Sequence, residues 1–124
     1  MDSYLSEYID GLVNMASSFS KKIGLSYISG YCFKKDNFNN EFSNYFKIKS
    51  FNLEPSNSDY LNIYLEDNLI DAFNYWINFK LGNIINYYTI DNLKIKNTLF
   101  YIVDDIIVLE YNDYMICLII GNNE

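Results

Sequence analysis

Apolar residues recur at three- and four-residue steps over the first part of the chain. Leu5, Tyr8, Ile9, Leu12, Val13, Ala16, Phe19 and Ile23 keep this spacing, which predicts an amphipathic helix. Asp2 or Ser3 stands where an N-cap is needed, and the early acids suit the positive end of the helix dipole. Lys21 and Lys22 fall in the expected last turn, and Gly24 is placed to stop it. A second helical period follows Asp67, a candidate N-cap. Leu69, Ile70, Phe73, Trp76, Ile77, Leu81, Ile84 and Ile85 carry it. The helix either stops near Leu81, before Gly82, or continues toward Tyr88 at a cost of about 1 kcal/mol.

The C-terminal third changes period. Residues 98–103, 106–111 and 114–120 read as strands separated by Asp104-Asp105 and Asn112-Asp113. Two-residue Asx-rich links between β-branched runs are hairpin signals, although neither has the preferred Gly at its second position. The last run is almost wholly apolar, which predicts a strand inside the sheet. Residues 25–58 are less regular. Residues 25–33 read as a strand kinked at Gly30, 36–40 as a polar turn and 48–53 as extended chain. Phe42, Tyr45 and Phe46 have helical spacing. Residues 55–58 (Pro-Ser-Asn-Ser) read as a loop, and a short strand is expected over 60–65. Two apolar helix stripes need a sheet to cover. The expected class is α+β: two amphipathic helices packed on an antiparallel sheet with a C-terminal three-stranded meander. The 124 residues contain no internal repeat and fit one domain, 1–124.

Composition adds to this picture. Aromatics make up 19% of the chain, enough for a packed core. Asn, Ile, Lys and Tyr have AT-rich codons, and their heavy use points to an AT-rich bacterial or phage genome. Asp2, Glu7 and Asp10 stand where a secretory signal needs basic residues, and no apolar run reaches the roughly 18 residues of a membrane span. A cytoplasmic chain is expected, with Cys32 and Cys117 reduced.

The net charge of −7 is unevenly placed. Lysines 21, 22, 34, 35, 47 and 49 oppose only Asp36 and Glu41, a local +4, whereas residues 97–124 carry five acids and no lysine. An acidic field disfavours direct binding to a nucleic-acid backbone and favours a basic protein. The lysine cluster, beside Tyr31, Phe33 and Tyr45, lacks the Arg of a dedicated nucleic-acid site and reads as a solvated face.

Missing residue types exclude most catalytic chemistry. Without His there is no common general base, nucleophile partner or metal ligand. Without Arg there is no bidentate phosphate clamp. The five glycines are scattered, so no phosphate loop forms. Glu66, Asp67 and Asp71 at a helix start, and Asp104, Asp105 and Asp113 at turns, are explained by capping and turn chemistry, and no EF-hand spacing occurs. No catalytic residue, metal or cofactor is assigned.

The stretch from Tyr75-Trp76 through residues 97–111 (Asn-Thr-Leu-Phe-Tyr-Ile-Val-Asp-Asp-Ile-Ile-Val-Leu-Glu-Tyr) to Leu118-Ile-Ile-Gly121 resembles the general build of small acidic bacterial toxin-immunity proteins. Phage anti-defence inhibitors of the anti-CRISPR kind share its size and acidity. Either resemblance implies a stoichiometric inhibitor of a toxin or defence nuclease, and it lends no functional residue by position.

The expected partner-binding surface is the acidic C-terminal segment: Asp104, Asp105, Glu110, Tyr111, Asp113 and Tyr114. Exposed Tyr buries much area at low entropic cost. Most other aromatics, Trp76 included, sit at periodic positions expected in the core. A homodimer through an apolar sheet edge is open. The alternative function is a small-molecule module in which the 21–49 lysines hold a nucleotide-like signal.

Overall fold

The structure, a computed structural model, describes residues 1–19, 27–90 and 102–122, without the side chains of 19, 102, 104 and 122. Along the chain run α1 (Ser3–Phe19), β1 (Tyr27–Lys34), α2 (Phe38–Phe46), β2 (Glu54–Ser56), α3 (Asp67–Leu81), β3 (Asn86–Thr89), β4 (Ile102–Glu110) and β5 (Tyr114–Asn122). The five strands form one sheet in the order β1-β5-β4-β3-β2, antiparallel throughout. The α+β class is as expected.

The apolar last strand lies inside the sheet, between β1 and β4. Strand side chains alternate between faces, so β5 feeds two cores. Ile116, Leu118 and Ile120 join α1 and α3 through Ile9, Val13, Ile70, Phe73 and Ile77. Met115, Cys117 and Ile119 join Phe38, Phe42 and Phe46 of α2 on the other face. Cys32 and Cys117 are free, buried, and belong to these opposite cores.

The start of α1 and the end of α3 each have a local cause. The Asp2 carboxylate accepts the Leu5 N–H at 2.9 Å and caps α1. The expected stop at Lys21, Lys22 and Gly24 lies outside the described residues. Gly82, at φ 83°, closes α3 with its N–H on the Asn78 carbonyl at 2.9 Å, so the helix does not run on to Tyr88.

The α1 helix also seals an edge of the sheet. The Gly30 N–H donates to the Asp10 carboxylate at 2.8 Å, and the Cys32 N–H donates to the Ser6 hydroxyl at 2.8 Å. The Asp2 N–H donates to the Cys32 carbonyl at 2.9 Å. The absence of a side chain at Gly30 permits this approach, because a Cβ there would meet Ile9 Cγ2 at 2.8 Å and the Asp10 nitrogen at 3.1 Å. The other edge, β2, has three residues and contains Pro55, which lacks a ladder donor. Both edges are thus blunted against strand addition.

Several sequence expectations require correction. Asp104-Asp105 is no hairpin. β4 runs through it, with Val103 opposite Gly121 and Asp105 opposite Ile120, so Asp104 is the extra residue of a bulge. The ladder itself excludes a turn there, because the residues on both sides of the bulge stay paired with consecutive residues of β5. The meander is therefore β3-β4-β5, and residues 98–101 lie outside the described residues. The β1–β5 ladder passes Gly30 in unbroken register, without a kink. Residues 38–40 open α2 rather than a turn, Pro55 sits in a strand, and Ser58–Ile63 forms a 3-10 helix in place of the strand expected over 60–65.

Candidate protein-binding surface

Of the six residues expected to form one acidic surface, the five with described side chains are dispersed. Asp105 is half-buried, and its carboxylate accepts the hydroxyls of Tyr60, at 2.8 Å, and Tyr64. These bonds tie the 3-10 helix to the bulge in β4. Five residues further along β4, Glu110 points to the other face and engages Lys35 at 2.5 Å, Asn86 at 2.8 Å and Tyr88 at 2.9 Å. The Lys35 ammonium, helped by Asn86 and Tyr88, holds the Glu110 carboxyl below the usual carboxylate range. Tyr111 is fully buried in the α1/α3 core, which pushes its phenol up and corrects its reading as an exposed contact. Tyr114 is half-buried, Asp113 is exposed at the hairpin turn, and the Asp104 side chain lies outside the description. The Lys-rich and acidic stretches partly neutralise each other through Lys35 and Glu110.

A different surface concentrates the exposed aromatic rings. The Lys80 ammonium, near the end of α3, lies over the rings of Tyr4 and Tyr8 near the start of α1, at 5.5 and 5.3 Å. The Tyr8 hydroxyl donates to the Trp76 carbonyl at 3.4 Å. Met15 and Ala16, late in α1, meet Leu69 and Ala72, early in α3, across a shared groove, so the helices are antiparallel. Phe73 and Trp76 also line this apolar groove of about 200 Å³. Beside it Tyr75, Trp76 and Phe79 are 66%, 49% and 77% exposed, with the Tyr75 and Trp76 rings edge-on at 5.5 Å. These rings form an exposed apolar patch, a feature that makes the face a candidate for protein binding.

The comparisons with known proteins decide nothing further. No family model, curated protein or solved structure matches this chain. The surface must be read from its own chemistry.

Two residue sets on α3 explain why periodicity missed it. Ile70, Phe73 and Ile77 are buried against the sheet. At about 100° per residue, Trp76 lies at the flank of that stripe and Tyr75 and Phe79 lie beyond it. Apolar residues at 69, 70, 72, 73, 75, 76, 77, 79 and 81 wrap the helix too widely for one buried face. That excess was the available signal.

A second cavity, of about 330 Å³, opens beside α2 between Lys35, Asn37, Asn40, Leu53, Tyr88 and Glu110. Its lysine and carboxylate satisfy each other. Among the described residues, no three His, Cys, Asp or Glu side chains form a metal-binding group, and no helix is long and apolar enough to cross a membrane.

Proposed function

We propose that this chain is a stoichiometric protein inhibitor that occupies the working surface of a basic partner, a toxin or defence nuclease, in the cytoplasm. The observation that carries the reading is the aromatic outer face of α3 beside an apolar groove, rings that this chain leaves in solvent. Aromatic side chains of this type dominate protein interfaces. The lack of His and Arg supports binding over catalysis. The contact surface moves from the C-terminal hairpin, where the acids are scattered or paired, to the α1/α3 layer.

Affinity capture from the native host, with a Trp76→Ser/Phe79→Ser variant as control, tests this. The wild-type chain retains one protein at about equimolar ratio, and that protein's activity falls to zero as the chain reaches one equivalent. The variant, folded by circular dichroism, loses at least tenfold in affinity. A variant that captures equally well overturns the surface, and a captured protein that keeps its activity overturns inhibition.

The small-molecule reading has one supporting feature, the polar cavity beside α2. A phosphate there would have to take Lys35 from Glu110. A nucleotide panel that leaves the melting temperature unchanged removes this alternative, since a ligand of the folded state raises stability.

A further inference from the structure

We infer that the groove between α1 and α3 receives a basic amphipathic helix of the partner. The inference deepens the protein-binding reading above and rests on it. Three observations fix the occupant.

The first is the closure of the sheet edges. Asp10 and Ser6 occupy the Gly30 and Cys32 amides of β1, and β2 is short and carries Pro55. A partner strand finds no open ladder at these sites. The second is shape. Two antiparallel helices leave an apolar trough whose lining is almost entirely carbon: Leu12, Met15, Ala16, Leu69, Phe73 and Trp76. From Leu69 to Trp76 the α3 side of the trough runs about 10 Å, two turns of a docked helix. Its apolar anchors would recur at i, i+3 or i+4, and i+7.

The third is charge. The two helices and their leading residues carry Asp2, Glu7, Asp10, Glu66, Asp67 and Asp71 against Lys80 among the described residues. Glu7, Asp67 and Asp71 are exposed. Lysine or arginine flanking the apolar anchors meets this field favourably. A second copy of the chain would bring the same carboxylates and a further −7 to the contact, so like charges oppose it.

Trp76 is the only tryptophan and lines the groove, so its emission reports docking directly. The probes are two 15-residue helical peptides with identical leucine anchors, one flanked by lysine and one by glutamate. The lysine peptide should shift Trp76 emission to the blue at one equivalent and bind at least tenfold more tightly than the glutamate peptide. Ala72→Lys, an exposed groove position that leaves Trp76 in place, should weaken the lysine peptide at least tenfold with an unchanged melting temperature. Equal binding of both peptides, no shift, or no effect of Ala72→Lys overturns the inference. So does a wild-type dimer in solution that Ala72→Lys dissociates, because a second copy then fills the groove. If host capture depends on Trp76 and Phe79 while no peptide binds, protein binding stands and the helical occupant alone falls.

Discussion

On one face of the sheet, Phe33, Phe38, Phe42, Phe46 and Phe51 turn their rings toward one another; on the other, Tyr75, Trp76 and Phe79 turn theirs toward solvent. The phenylalanine cluster has ring centroids 4.7 to 6.4 Å apart in tilted and edge-on pairs. Such geometry adds to the hydrophobic gain of burial. The α3 rings forgo most of that gain. The charges divide too among the described residues: Lys34, Lys35, Lys47 and Lys49 lie around α2, whereas α1 and α3 carry Glu7, Asp10, Asp67 and Asp71 against Lys80. Aromatic residues on the α2 side hold the fold together, and those on the outside of α3 stay exposed to solvent.

The strongest break of this contrast is at Phe42. It is fully buried and touches Phe33, Phe38, Phe46 and Phe51. Phe42→Ala should cost about 3–5 kcal/mol, read by urea denaturation, a large share of the roughly 5–15 kcal/mol of a domain this size. Next comes the seam that positions α1 against the sheet. Gly30→Ala drives a methyl into Ile9 and the α1 backbone. It should cost about 1–3 kcal/mol and loosen α1, with faster exchange of the Cys32 and Gly30 amides.

The sequence exposed the fold more fully than the surface. The long helical periods and the apolar β5 follow from burial, which period and hydrophobicity encode directly. α2 was half-legible, because Phe42, Tyr45 and Phe46 show its step but Phe38 hides among Asn and Asp residues. The Asp104-Asp105 bulge was not legible, since the same dipeptide serves a turn or an extra strand residue and cross-strand register decides. The pairing within the acidic C-terminal segment was hidden for a related reason. Glu110 and Lys35 are distant in sequence and become neighbours only when β4 and the end of β1 share a sheet. Trp76 misled because a helical period does not say which apolar residues face inward when they wrap the helix.

The Lys35–Glu110 pair gives the third test. Glu110→Gln removes a charged partner from a half-buried site and should cost about 1 kcal/mol at neutral pH. Because folding holds the Glu110 carboxyl below its ordinary value, its contribution is present above the ordinary carboxylate range. It is lost as pH falls through the lowered value. Melting temperatures of wild type and variant should therefore converge between about pH 5 and pH 3. Curves that stay parallel would mean the pair adds nothing to folding.

The smallest expected change in stability is at Phe79, and it bears most on function. Phe79 is 77% exposed, so Phe79→Ser removes little buried area and should alter stability by no more than about 0.5 kcal/mol in urea. Phe42→Ala deletes the same ring where five phenylalanines meet, and the two differ in expected cost by several-fold. The ranking should reverse for partner binding. There Phe79→Ser should lose tenfold or more, about 1.4 kcal/mol, while any folded variant of the α2 cluster should bind normally. If Phe79→Ser instead destabilised the fold as Phe42→Ala does, the ring would belong to the core. The distinction between an inward and an outward aromatic face would then collapse.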